Sequence, residues 1–189
     1  MRQPGDRAPA PGRLALVQDL INTADLEAGR DRLRTVDQLE SFCLDHGIGE
    51  VGAGPADLTA VRELREALRE ACRAHGGPNR VAEPARDALD RQLASAPLAL
   101  TVAADGTARA GPAPGLAGSR LVAAHLAAAV LAGVAAGTWR RLKACEAPAC
   151  RWAFYDNSPG GRGRWCSMSV CGARAKMRAY RARRPPRTS

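Results

Sequence analysis

The chain has 189 residues, 46% of them apolar and 4% aromatic, with a formal net charge of +9. That length holds one ordinary domain plus a small appended module, and that apolar content excludes a disordered chain. The charge is uneven: from Arg140 onward 13 Lys+Arg face only Glu146 and Asp156, a net of +11, while the preceding residues carry 15 basic and 17 acidic, a net of −2. The last quarter is therefore aimed at an anionic partner, with DNA, RNA and an acidic membrane surface as the candidates.

Residues 1–12 are rich in Pro and Gly and are expected to be disordered. The opening "MRQPGDRAPAPGRLALV" lacks the apolar run and small-residue cleavage site of a secretion signal, which points to a cytoplasmic protein with reduced thiols. In "LALVQDLINTAD", Leu14, Val17, Leu20 and Ile21 recur at helical spacing and predict a helix with one apolar face. Thr35 with Gln38 three residues on is a capping-box pattern. It opens a helix that would bury Val36, Leu39 and Cys43 and stop at Gly47. A third helix is expected from about Asp57 to Ala74, with Leu58, Val61, Leu64, Leu68 and Cys72 as its stripe, ended by "HGGP". A short one follows over Pro84 to Leu93, the proline being acceptable in a first turn.

The run Leu98 to Ala103, then Asp105-Gly106, then Thr107 to Ala110 reads as a β-hairpin. After the loop "GPAPGLAGS", Ser119 is expected to cap an Ala-rich helix that runs to about Thr138. Its apolar stretch, Leu121 to Gly137, sits at the lower length limit of a membrane span; it is mostly alanine and contains His125, and is read as a buried core helix. The fold class is therefore α+β and predominantly helical: a helical domain over 13–140 with one small hairpin, then a module over 141–184 and a tail over 185–189. His46, His75 and His125 are scattered and read as ordinary surface or core histidines, and Cys43 and Cys72 as small core residues. No phosphate-binding loop, carboxylate pair or nucleophile elbow stands out. No catalytic residue is assigned, and an enzyme is the least favoured class.

The other four cysteines, Cys145, Cys150, Cys166 and Cys171, form C-x4-C, fifteen residues, C-x4-C. Two close pairs separated by a hairpin-length insert is how tetrahedral structural zinc sites are built, with a disulfide pair or an iron–sulfur cluster as the competitors. Four thiolates leave no open position for a reactive water, so one structural Zn²⁺ is expected. Metal binding would supply much of the folding free energy of so small a piece, on the order of 10 kcal/mol. "RWAFY" has strand composition, "DNSPGG" is a turn and "RGRWC" returns toward the second pair, with Trp152, Phe154 and Trp165 as a mini-core. A helix follows over "GARAKMRAYRARR", capped by Ser167 or Ser169 and closed by Pro185-Pro186. Arg174, Arg178 and Arg181 lie along one face, widened by Lys176, Arg183 and Arg184 and by Arg162 and Arg164 from the return segment. Even with about −2 on a four-thiolate zinc, the segment stays near +9. The cage would fold a platform, and the arginines would use it on phosphates and base edges.

"CEAPACRWAFYDNSPGGRGRWCSMSVCGARAKMRAYRARR" resembles the finger of the CGNR zinc-finger proteins, and "LALVQDLINTAD", with Asn22-Thr23, resembles the start of the ABATE domain that precedes it. The resemblance implies a bacterial transcription regulator of the stress response. It places zinc on Cys145, Cys150, Cys166 and Cys171, in a treble-clef-like or ribbon-type finger ending in a basic helix. The chain departs from the name-giving motif: it reads "CGAR", with Ala173 where the family has asparagine, and Gly163 interrupts a denser basic run. The leading expectation is a DNA-binding regulator. Arg174 and Arg178 would contact bases or phosphates, and Arg162, Arg164, Lys176 and Arg181 would support them. The helical domain would sense a small-molecule ligand or form a homodimer, with no membrane role. RNA binding, a zinc-stapled protein-interaction module and a thiol redox switch are the alternatives.

Overall fold

The computed structural model describes residues 7–77 and 80–183. Helix α1 (Leu14–Ile21) buries Leu14, Val17, Leu20 and Ile21, the face that its spacing predicts. A two-residue ribbon that the pattern does not announce, β1 (Ala24–Asp25) and β2 (Arg30–Asp31), follows at once. Helix α2 (Val36–Asp45) carries the predicted capping box: the Thr35 hydroxyl accepts from the Gln38 N–H, and Gln38 reaches back to the Thr35 N–H.

Helix α3 (Pro55–Ala74) starts two residues earlier than expected because Pro55 takes the first helical position and the Asp57 carboxylate accepts the Gly54 N–H at 2.9 Å. Its predicted stripe is buried, and so are two arginines that a polar face would expose, Arg65 and Arg69. Arg65 holds Asp31 bidentately at 2.7 and 2.9 Å and reaches the Thr23 hydroxyl. Arg69 donates to the Ile21 carbonyl at 2.8 Å and the Arg151 carbonyl at 2.9 Å, and Glu66 accepts from both arginines. Helix α4 (Glu83–Ala94) and the hairpin β3 (Leu98–Val102) with β4 (Ala108–Pro112) complete the predicted order.

Helix α5 (Gly118–Ala135) packs on α1, α3, α4 and β4. It is the one helix among the described residues long and apolar enough to cross a membrane, and its buried side belongs to the core. Ser119 is not its cap. Ala117 holds that position, and Ser119 sits inside the first turn, donating its N–H at 2.8 Å and its hydroxyl at 2.7 Å to Asp57. One carboxylate thus serves the N-termini of both α3 and α5, where the helix dipole also favours it. The helix stops before Thr138 because Gly137 turns into the left-handed region, and α1 approaches so closely that a Cβ on Gly133 would lie 2.8 Å from Leu14.

Of the segment 1–12 that is expected to be disordered, residues 7–12 are described. The Ala10 N–H donates to buried Gln18 at 2.6 Å, and Arg7 is tied to the C-terminal module, while residues 1–6 lie outside the described range. The C-terminal module continues the same core. Strands β5 (Leu142–Ala144) and β6 (Ala153–Tyr155) pair antiparallel with Ala144 opposite Ala153, and Leu142, Ala144, Ala153 and Tyr155 join the helices in one hydrophobic cluster.

Candidate metal centre and basic helix

The β5–β6 hairpin delivers the first two sulfurs. Cys145 follows β5 and donates its N–H to the Trp152 carbonyl. The tight turn from Ala147 brings Cys150 back, with Arg151 in the left-handed region at φ 51°. The return segment is not a strand; Arg164 accepts from the Glu146 N–H and places Cys166 beside the turn. The Ser167 hydroxyl then accepts the Val170 N–H at 3.3 Å, so of the two predicted caps Ser167 is the one used. A π-turn (Met168–Gly172) carries Cys171 and runs directly into α6 (Ala173–Arg183). A sulfur pair on a hairpin turn and a pair at the start of a helix is the treble-clef-like alternative, not the ribbon.

All four sulfurs are buried and lie within 4.8 Å of one another. Cys150 to Cys166 is 3.6 Å and Cys166 to Cys171 is 3.8 Å. Sulfurs about 2.3 Å from one tetrahedral ion are about 3.8 Å apart, so the cage has the size of a single zinc ion. A disulfide needs sulfurs about 2.05 Å apart, and every cysteine is free. Hydrogen bonds from Cys150 and Cys166 pull the Cys145 thiol down. The same closeness pushes Cys150 and Cys166 up, since further thiolates repel the first. Only a bound cation lets all four ionise together. By contrast, Cys43 is pushed up to about 12 by burial, and Cys72 is raised by burial as well; both are core residues, as read from the sequence.

The cage is braced from several sides. Phe154 is fully buried against the cysteines, with Trp152 and Trp165 packed beside them, as the mini-core reading requires. Arg7 donates to the Cys166 carbonyl at 2.7 Å and the Trp165 carbonyl at 3.0 Å, its guanidinium 4.6 Å from the Phe154 ring centre. Asn22 holds β6 like an extra strand: its Oδ1 accepts the Ala153 N–H at 2.8 Å and its Nδ2 donates to the Ala153 carbonyl at 2.9 Å. Buried Lys143 donates to Asp156 at 2.9 Å and to the Gly161 and Gly163 carbonyls. Burial alone would raise Asp156, but Lys143, Ser158 and the Gly163 N–H outweigh it and hold the carboxyl well below its usual range. Gly163 is explained here: a Cβ would stand 2.9 Å from the Asp156 carboxylate. No short-range pattern marks Arg7, Lys143 or Asp156 for these roles, and Asn22 stands out in the chain only as a family match at a helix end.

The predicted nucleic-acid-binding residues fall into three settings. Arg174, Arg178 and Arg181 line one shallow groove with Val170, Ala173 and Met177, on a helix with no buried residue. Lys176 is exposed, two to three residues out of phase with that row, on the other side of α6. Arg162 is exposed beside Gly160. Arg164 is bound to Glu146 at 2.8 Å, with its guanidinium 5.3 Å from the Trp165 ring centre. Arg174 forms an ion pair with Glu27, from the turn between β1 and β2. Arg184 and Pro185-Pro186 lie outside the described residues.

Residues 141–184 match the family model described as "CGNR zinc finger". Residues 14–138 match the model named ABATE, described as "Putative stress-induced transcription regulator". No protein with a curated description matches the chain. The cage and the first match agree on one structural zinc site formed by Cys145, Cys150, Cys166 and Cys171.

Proposed function

The chain belongs to the ABATE family and carries a CGNR zinc finger, and from that premise we propose that it is a DNA-binding transcriptional regulator. Zinc folds the platform, α6 meets the duplex, and the helical region senses a small ligand or mediates dimerisation. The observation that carries the reading is α6 itself. It follows directly on the turn that carries Cys171, has no buried residue over its described length, and bears Arg174, Arg178 and Arg181 on one groove with no acidic residue. Those three would meet bases and phosphates, with Arg162, Arg164 and Lys176 placing the backbone.

The reading is tested by anisotropy titrations of fluorescent duplex DNA with zinc-loaded protein. If about five phosphates are neutralised, log affinity falls against log salt with a slope near −4 to −5. Arg174→Ala/Arg178→Ala is expected to keep its zinc and bind at least about tenfold more weakly, whereas Cys166→Ser loses metal, fold and binding together. A double-arginine variant that binds like the parent would remove α6 from the interface. A second reading rests on a specific feature: Met168, Val170, Met177 and Tyr180 are exposed among the arginines, as on a surface for a protein partner with an acidic rim. In that case duplex DNA competes poorly with the partner.

A further inference from the structure

Helices α3, α4 and α5 pack on one another but leave a surface groove along their junction. Its volume is about 280 Å³, and its eleven lining residues are all apolar, among them Leu68, Leu93, Leu126, Leu131, Val134 and Trp139. The surrounding surface of α5 is mostly alanine, so the large side chains here stand out. Leu93, Leu131 and Val134 leave 37%, 49% and 55% of their area in solvent at the rim. Exposed apolar area of this kind, rimmed by polar surface, marks a binding site more often than a fold.

A second space lies next to the groove. Val134 and Trp139 also line this space, of about 340 Å³ and bounded by His75, Gly133, Gly137 and Arg140. His75 is fixed there, its Nδ1 2.8 Å from the Leu142 carbonyl and its ring edge-on to Trp139 at 4.8 Å. Arg140 makes no ion pair among the described residues. Burial lowers the His75 pKa, the Leu142 carbonyl opposes this, and the charges of Arg140 and Lys143 add to the lowering.

An apolar trench that shares Val134 and Trp139 with a space lined by an arginine making no ion pair among the described residues fits a molecule with an alkyl chain and an anionic head. We propose that this groove binds a medium-chain carboxylate, the chain along Leu93, Leu131 and Val134 above a floor that includes Leu68 and Leu126, and the head at Arg140 beside His75. The proposal deepens the ligand-sensing part of the proposed function. Its test contains no DNA, so failure here leaves the DNA reading untouched, and failure of DNA binding leaves this site standing.

Zinc-loaded full-length protein is titrated with decanoate, decanol and decyltrimethylammonium below their micellar concentrations, by calorimetry and by tryptophan fluorescence. Decanoate is expected to bind saturably, one per chain, and to perturb Trp139. Decanol should bind about fivefold or more weakly, and the quaternary amine more weakly still. Arg140→Gln should cost decanoate about fivefold and leave decanol unchanged, and Ala127→Phe, which fills the trench, should abolish both. Arg140 lies at the surface, so its variant reports even if Ala127→Phe does not fold. Absence of saturable decanoate binding, equal binding of all three amphiphiles, or an unchanged affinity in Arg140→Gln overturns the proposal. So does a dimer in light scattering that Leu131→Glu dissociates, for the occupant would then be a second copy.

Discussion

Replacing Asn22 by alanine tests how the zinc-binding end is attached to the helices. The side chain is buried, and its amide is the partner of both backbone groups of Ala153, itself fully buried in β6. After truncation the Ala153 carbonyl keeps a long hydrogen bond from Gln18 Nε2 at 3.3 Å, but the N–H keeps nothing. A buried donor left unsatisfied costs about 1–3 kcal/mol, and the space vacated by the amide adds about 1 kcal/mol. The expected loss is therefore about 2–4 kcal/mol, a large share of the roughly 5–15 kcal/mol that holds a domain folded. Urea unfolding followed by tryptophan fluorescence measures it, and the rate of zinc transfer to a chromogenic chelator should rise in parallel. If Asn22 merely ends α1, the change stays below about 1 kcal/mol and chelation is unaltered. That result would refute the attachment described here.

Asp57→Ala removes three hydrogen bonds from two helix starts and should cost about 2–3 kcal/mol in the same unfolding assay, with Asp57→Asn retaining roughly half. The amides of Ser119 and Gly54 hold the Asp57 pKa below its ordinary value, so its contribution is complete above the unfolded value of about 3.9 and is lost as pH falls through the folded one; Asp57→Asn should flatten that part of the acid limb. His46 has the opposite sign. Its bond to Asp19 raises its pKa, so its stabilisation is full below about pH 6.5 and fades as pH rises, and His46→Gln should erase that slope. Gly163→Ala should cost about 1–3 kcal/mol by pressing on the Asp156–Lys143 pair, measured as a drop in melting temperature. On the DNA-binding reading Glu27 competes with phosphate for Arg174, so Glu27→Gln should tighten duplex binding by about two- to fivefold in anisotropy; weaker binding would count against the pairing.

Features written in short-range patterns were legible from the chain alone. The helices followed from spacings of three and four, the α2 start from Thr35 and Gln38, and the metal cage from two C-x4-C pairs. What escaped reading depends on residues far apart in sequence. Arg65 and Arg69 look like the wet side of α3, and only the nearby Asp31, Glu66 and backbone carbonyls make their burial tolerable. Ser119 looked like a cap because Asp57, sixty-two residues away, could not be placed beside it. Arg7 lies in a stretch whose composition suggests fraying, yet its targets are two carbonyls of the finger. The match of two family models, meeting near residue 140, likewise suggests two bodies, whereas Leu142, Ala144, Ala153 and Tyr155 of the finger belong to the helices' own cluster, beside a second cluster around the cysteines.

On the regulator reading proposed above, that common interior limits how the protein could be switched. A reading head on a swivel can be turned toward or away from its target, and it can be cut off and grafted elsewhere. Here severing the chain near residue 141 would bare Leu142, Ala144 and Tyr155 to water and strand Ala153 without Asn22. On that reading, a signal arriving among the helices would have to act through the shared interior of Leu142, Ala144 and Tyr155, or by changing what competes for the arginines.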